Sequence, residues 1–149
     1  MKSSNIPVLA VLILVIGVVI LPDFQAFAQD KTAVITENSQ KSIVLKEITL
    51  CKTVKDREPV DKSDRFRLDD KKIYCFSVFE NEHKKQKIFH KWYREGVLML
   101  SIELKVGLSK HWRTWSSKNF YTGHEGAWEV TIVNQDETEL GRTSFKVKQ

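Results

Sequence analysis

Several residue types are scarce in this sequence, and each scarcity excludes a class of protein. Only 3 of the 149 residues are proline and 6 are glycine, which excludes collagen-like and proline-rich architectures. No glycine-rich phosphate loop occurs. The chain is nevertheless 42% hydrophobic and 29% charged, so it can form a core and lacks the composition of a disordered protein. Its length allows one domain with a short extension.

The longest apolar run lies near the N-terminus and has the features of a secretion signal. Lys2 provides a positive charge before the apolar segment Ile6–Leu21, and the small residues Ala26 and Ala28 flank Phe27. Signal peptidase cleaves after this small-x-small pattern. We therefore expect cleavage between Ala28 and Gln29, and a protein that is extracytoplasmic and periplasmic.

This interpretation divides the chain into three parts: a signal peptide at 1–28, a flexible lead-in at 29–42 and a folded domain at 43–149. The alternative is that Ile6–Leu21 stays uncleaved and anchors the chain in the inner membrane. That run is shorter than the roughly 20 apolar residues that a spanning helix needs, so we favour cleavage.

Cysteine is scarce too, since Cys51 and Cys75 are the only two. In an exported protein, two cysteines favour a single disulfide, and we predict a Cys51–Cys75 bridge. The alternative is two separately buried thiols. No C-x-x-C spacing is present, so neither a metal site nor a cofactor is expected.

After the lead-in, the patterns indicate β-strands and no amphipathic helix. The clearest alternation lies in Val97–Val106, where every second residue from Leu98 to Val106 is apolar. We interpret the polar segment Lys55–Asp70 as a loop. About seven short strands predict an all-β, immunoglobulin-like antiparallel sandwich, with a barrel as the alternative. The predicted strands are Ile43–Val54, Ile73–Phe79, Lys87–Arg94, Val97–Val106, His111–Ser117, Trp128–Ile132 and Leu140–Val147.

Histidines and serines do not form a recognisable catalytic motif. No two of the four histidines (His83, His90, His111 and His124) have a ligand spacing, and no serine lies in a nucleophile elbow. We therefore predict no catalytic residues. The least favoured alternative is a hydrolase that uses His90 or His111 with Glu125.

A basic and aromatic run between His83 and Arg94 suggests a polyanion surface. Lys84, Lys85, Lys87 and Lys91 would supply the charges, together with an exposed Trp112 or Trp115. Predicted export excludes nucleic acid and leaves acidic glycans or anionic lipid surfaces as partners. We favour a second interpretation, in which this run is an edge strand that its lysines protect from aggregation.

Five short motifs together resemble a known bacterial family, catalogued as domain of unknown function 2914. They are D-R-E-P-V-D at 56–61, Y-C-F at 74–76, H-K-W at 90–92, W-R-T-W-S-S-K at 112–118 and G-A-W-E-V at 126–130, with Phe145 and Val147 near the end. The resemblance covers about Val44 to Val147. It implies an exported or membrane-associated domain without an assigned activity.

The residues of these motifs are the candidate binding or structural site. Arg113 would pair with the acidic residues at 56–58 and pin the segment 55–70. In the alternative, Arg57, Arg113, Lys118 and His90 would converge in an anion pocket at one end of the sandwich. The candidate residues are Asp56, Arg57, Glu58, His90, Trp92, Trp112, Arg113, Trp115, Ser116 and Lys118.

The sequence thus predicts an exported, non-catalytic β-sandwich module that binds a protein or an envelope component. A carbohydrate- or polyanion-binding module is the first alternative, and a hydrolase is the second.

Overall fold

A computed structural model describes residues 42–149, and the predicted signal and most of the lead-in lie outside this range. Within it, nine strands and one 3₁₀ turn follow one another, and no helix is long and apolar enough to span a membrane. The elements are β1 (Val44–Lys55), β2 (Glu58–Lys62), β3 (Arg65–Arg67), the 3₁₀ turn (Leu68–Asp70), β4 (Lys72–Asn81), β5 (Gln86–Arg94), β6 (Val97–Val106), β7 (Ser109–Asn119), β8 (Gly126–Asn134) and β9 (Glu139–Lys148).

The strands form two sheets, which confirms the predicted all-β sandwich. The four-stranded sheet has the order β2-β1-β4-β7, and the five-stranded sheet has the order β3-β9-β8-β5-β6. All neighbours pair antiparallel except β3 and β9, which pair parallel. The sheets are therefore not purely antiparallel as predicted.

Strict alternation explains why the inner faces form one core. On β8, the side chains of Trp128, Val130 and Ile132 point inward and are at most 2% exposed. On β9, Phe145 and Val147 are buried and alternate with the exposed residues Ser144, Lys146 and Lys148. Because successive side chains on a strand point to opposite faces, each strand contributes every second residue to the space between the sheets.

Two strands lie in the segment 55–70 that we predicted to be a loop. β2 contains Pro59, which has no backbone N–H, and a strand at the edge of a sheet tolerates this loss. β3 has only three residues, with buried Phe66 between exposed Arg65 and Arg67. Such short strands give too little alternation to be recognised from sequence.

The two cysteines do not form the predicted disulfide. The two strands that carry them pair antiparallel as expected, but Cys51 lies opposite Tyr74, and Cys75 lies opposite Leu50. Since directly opposite residues share a face, this register places the two thiols on opposite faces of the four-stranded sheet. Both are free and buried, Cys75 in the central core and Cys51 against Phe76 and Val78.

The start of β6 also departs from its predicted pattern. Trp92 lies opposite Leu100, whereas Tyr93 lies opposite Leu98, so Met99 is an extra, bulged residue. The bulge turns Leu98 to the outer face that Tyr93 shares, although the alternation predicted it in the core. Leu98 is 48% exposed as a result.

Candidate functional site

A hydrogen-bonded network around His90 lies between the sheets. His90 Nδ1 is 2.8 Å from Ser116 Oγ, and His90 Nε2 is 3.1 Å from Ser77 Oγ. Trp92 Nε1 donates to Ser116 Oγ at 3.1 Å, and Ser77 Oγ donates to the carbonyl of Thr114 at 3.3 Å. The network therefore joins β5 of one sheet to β4 and β7 of the other.

These contacts are compatible with only one arrangement of protons. Ser77 uses its hydroxyl hydrogen on Thr114, so it must accept at His90 Nε2, which carries the imidazole proton. Nδ1 then accepts from Ser116, whose oxygen accepts the indole N–H of Trp92. In this arrangement, each side-chain O–H or N–H hydrogen of the network has one acceptor.

The surroundings of His90 keep it uncharged. The ring is completely buried and forms no hydrogen bond or ion pair with a carboxylate of residues 42–149, so desolvation lowers the pKa of His90 to about 3. A neutral, enclosed imidazole between two serines holds the sheets in register, because each sheet supplies groups that only the other sheet satisfies.

A second cluster closes one end of the sandwich. The ammonium of Lys118 lies 5.2 Å from the centre of the Trp128 ring and 5.5 Å from that of Phe120. His124 packs edge-on against both aromatic rings, and its carbonyl accepts from Trp128 Nε1 at 2.8 Å. These contacts make Lys118 a cation–π cap on the aromatic core.

Burial controls the charge of this end cluster. Desolvation lowers the pKa of Lys118. Desolvation also lowers the pKa of His124, and the nearby charges of Lys118 and Arg94 add to that effect. Within residues 42–149, His124 Nδ1 is buried without a hydrogen-bond partner. A second positive charge on His124 is therefore unfavourable beside Lys118.

The D-R-E-P-V-D motif forms a hairpin that bends across the outer face of the four-stranded sheet. Asp56 and Arg57 make the turn, both with positive φ, and Glu58 Oε1 lies 2.9 Å from Arg113 Nη2 on β7. β2 and β7 are opposite edges of that sheet, so this contact requires the hairpin to fold back over it. Val54 of the hairpin accordingly packs against the cluster of Cys51, Phe76 and Val78.

The predicted ion pair between this motif and Arg113 is therefore present, through Glu58. On the same side of β7, Trp115 stacks on Phe76, with 6.1 Å between the ring centroids and 13° between the ring planes. Trp112 has the opposite orientation: it points inward and packs against Gly107, where a Cβ atom would lie 2.4 Å from its ring.

The structure brings together only some of the predicted site residues. His90, Trp92 and Ser116 meet in the central network. The anion pocket that would combine Arg57, Arg113, Lys118 and His90 does not form, since Arg113 is on an outer face, His90 is enclosed and Lys118 caps the end. Of the pairings considered for a hydrolase, His90 with Glu125 does not form, because His90 contacts serines and Glu125 accepts from the backbone N–H of Gly123.

Two lysines of the predicted polyanion surface have acidic partners. Lys87 Nζ is 3.0 Å from Glu103, and Lys91 pairs with Glu137. Lys84 and Lys85 are exposed in the loop before β5. Within the described range, no three His, Cys, Asp or Glu side chains form a group that could hold a metal ion.

Two further surface features were missed at the level of sequence. One is the apolar start of β6, where Val97, Leu98 and Met99 are 63%, 48% and 44% exposed. The run V-L-M-L breaks the alternation of the strand, and that break was the available signal. The other is a basic patch formed by Arg65, Arg67, Lys146 and Lys148, signalled by the short alternations R-F-R and K-V-K.

The fold and these contacts define the class: a two-sheet β-sandwich domain with a buried polar network between its sheets. Over residues 85–147 the chain matches the family model described as "Protein of unknown function (DUF2914)", which confirms the resemblance for that part of the chain. The match includes the central network on β5 and β7 and the cap by Lys118, while D-R-E-P-V-D lies before it. No curated protein matches the chain.

Proposed function

We propose that this chain is an exported, non-catalytic binding module whose partner is a protein that adds an extended segment to the free edge of β6. The observation that carries the proposal is the composition of that edge. β6 is the last strand of the five-stranded sheet, and its first residues are apolar, exposed and uncharged.

An edge strand has backbone N–H and C=O groups that face away from its only neighbour. Another extended backbone satisfies them, which is how peptides bind by sheet extension. Proteins usually protect such edges with charges, and β6 has them only in its second half, at Glu103 and Lys105. Residues 97–102 lack this protection.

The residues on the inward side of β6 are a second reason to place a partner strand at this edge. Leu100, Ile102 and Leu104 are only half-buried, although they face the space between the sheets. An added strand would cover the open side of this row, and apolar side chains at alternate positions of the partner would complete it.

Site-specific photo-crosslinking in the producing cell tests the proposal. A photoreactive residue at Leu98 should give a discrete protein adduct, whereas one at Leu108, which is also exposed, should not. The adduct at Leu98 should disappear when Met99→Lys places a charge on the edge, and Leu108→Lys is the matched control.

The captured protein, once purified, should protect the backbone amides of residues 97–102 from hydrogen exchange. Equal adducts at Leu98 and Leu108, or protection elsewhere only, would overturn the proposal. A dimer in light scattering that Met99→Lys dissociates would replace the partner protein with a second copy of this chain.

A further inference from the structure

The parallel pairing of β3 with β9 places four positive charges side by side. Arg65 lies opposite Lys146 and Arg67 lies opposite Lys148, with Phe66 opposite Val147 between them. All four cations are exposed, and the two apolar residues are buried. The basic patch is thus presented on the outer face of the five-stranded sheet.

This arrangement is unfavourable for the domain by itself. Like charges directly opposite each other on neighbouring strands destabilise a sheet. Among residues 42–149, Arg67, Lys146 and Lys148 have no ion pair, and Arg65 has only a contact of 4.0 Å with the exposed Asp64. Some other cations of the domain have close partners, such as Lys46 with Glu80 at 2.7 Å and Lys52 with Asp70 at 2.8 Å. Others, such as Lys84 and Lys85, have no ion pair within this range either, but they lie in a loop and not opposite another cation on a neighbouring strand.

A groove of about 800 Å³ runs beside the patch on the same face. Arg65, Lys146 and Lys148 line one side of it, and Tyr93 lies across from them. Its floor is low because Gly96 and Ala127 have little or no side chain. The groove is therefore bordered by the ring of Tyr93, by a floor without large side chains and by the cations of the basic patch.

The groove also contains carboxylates, so a ligand that fits it must carry groups that carboxylates can bind as well as anionic groups. Asp64, Glu95 and Glu129 line it together with the cations. Carboxylates accept hydrogen bonds from hydroxyl groups, and lysine and arginine donate to anionic oxygens. A ligand with both hydroxyl and anionic groups satisfies both sets, and a sugar ring offers a face to Tyr93.

We propose that this groove binds an acidic polysaccharide, with its anionic groups on the basic patch and a sugar ring on Tyr93. The concave shape favours a chain that lies in the groove over a flat membrane surface. The proposal rests on different residues from those of the partner site at β6, although Tyr93 lies opposite Leu98, where the groove reaches the start of that strand.

Titration with oligogalacturonate, a uronic-acid chain, tests the proposal. Lys146→Gln/Lys148→Gln should weaken its binding by about tenfold or more, which corresponds to ~1.4 kcal/mol. The matched control is Lys84→Gln/Lys85→Gln, which removes the same charge from exposed lysines of a loop and should change the Kd little. Binding of the unchanged protein should weaken as salt shortens the Debye length to about 8 Å.

Tyr93→Ala and Tyr93→Phe separate a specific groove from a general basic surface. Alanine should weaken binding about as much as the lysine pair, and phenylalanine, which keeps the ring, should not. An unaffected Tyr93→Ala protein, equal losses for both lysine pairs, or no binding at low salt would each overturn the proposal. Binding to phosphatidylglycerol vesicles but not to oligogalacturonate would overturn it in favour of a membrane surface.

Discussion

The polar groups around His90, inside the sandwich, differ from the cations of the basic patch, on its outer face, in how far their hydrogen bonds and charges are satisfied. Around His90 each hydrogen has an acceptor and no group is charged. In the basic patch, charges of one sign lie next to each other, and among the described residues their only ion pair is the 4.0 Å contact of Arg65 with the exposed Asp64. The contrast teaches that the polar groups around His90 serve the fold, whereas the cations of the basic patch are the groups for which we propose a ligand.

The largest expected effect comes from opening the network at Ser116. Ser116→Ala leaves the indole N–H of Trp92 and Nδ1 of His90 buried without partners, which should lower the free energy of unfolding by ~2–4 kcal/mol. Urea unfolding measures the change. The neighbouring Ser117→Ala, on the opposite face of β7, should stay within ~0.5 kcal/mol. Equal losses in the two variants would contradict a structural role for the network.

Acid should break the network next. The pKa of His90 is about 3 in the folded chain and about 6.5 in the unfolded chain, so the unfolded chain takes up the proton first. Stability from this group is complete above the unfolded pKa and falls as the pH decreases toward the folded value. Between pH 7 and 5 the unchanged protein should lose ~2 kcal/mol more than His90→Gln.

The same titration has a spectroscopic control. Nitrogen chemical shifts of His90 should report the neutral form protonated at Nε2 throughout that range. A charged ring at pH 5, or the other tautomer, would contradict the proton arrangement derived for the network.

Removing charge from the basic patch should have a smaller effect of the opposite sign. Lys146→Gln relieves the repulsion with Arg65 and should raise the free energy of unfolding by about 0.5 kcal/mol. Salt should stabilise the unchanged protein more than the variant, because it screens the repulsion. Denaturant unfolding of both proteins at two salt concentrations measures the effect of the substitution and the effect of salt on the free energy of unfolding. A loss of stability in Lys146→Gln would mean that the patch contributes to the fold.

The smallest expected effect is that of a reductant, which should leave the melting temperature unchanged. Cys51 and Cys75 are free and lie on opposite faces of one sheet. Alkylation of the unfolded protein without reductant should label both thiols. One intramolecular bridge in that measurement would contradict the observed register of β1 and β4.

Local patterns predicted much of this fold, and long-range register accounts for what they missed. Val97–Val106 was bounded correctly because its alternation is a property of ten consecutive residues. The partners of His90 depend on where β5 meets β4 and β7, and no local pattern encodes that position. The disulfide failed for the same reason: a register shifted by one residue moves a side chain to the other face.

The residues of the candidate site also divide into those that the sequence revealed and those that only the fold brings together. Glu58 and Arg113 were recognised as partners because opposite charges in two motifs invite pairing. The basic patch was not, since R-F-R and K-V-K are unremarkable until the fold joins them. An alternating pattern also does not reveal a β-bulge. The bulged residue Met99 leaves Leu98 exposed, although the pattern placed Leu98 in the core.

The pairing of β3 with β9 also sets an order for folding. The two strands are about 80 residues apart in the chain, so their contact closes a long loop and brings a large entropic penalty. Contacts of such high sequence separation form slowly. Phe66 finds Phe145 only when β9, the last strand, has docked. We therefore expect the four cations to come together late in folding, so that a chain still lacking β9 does not present them as a unit.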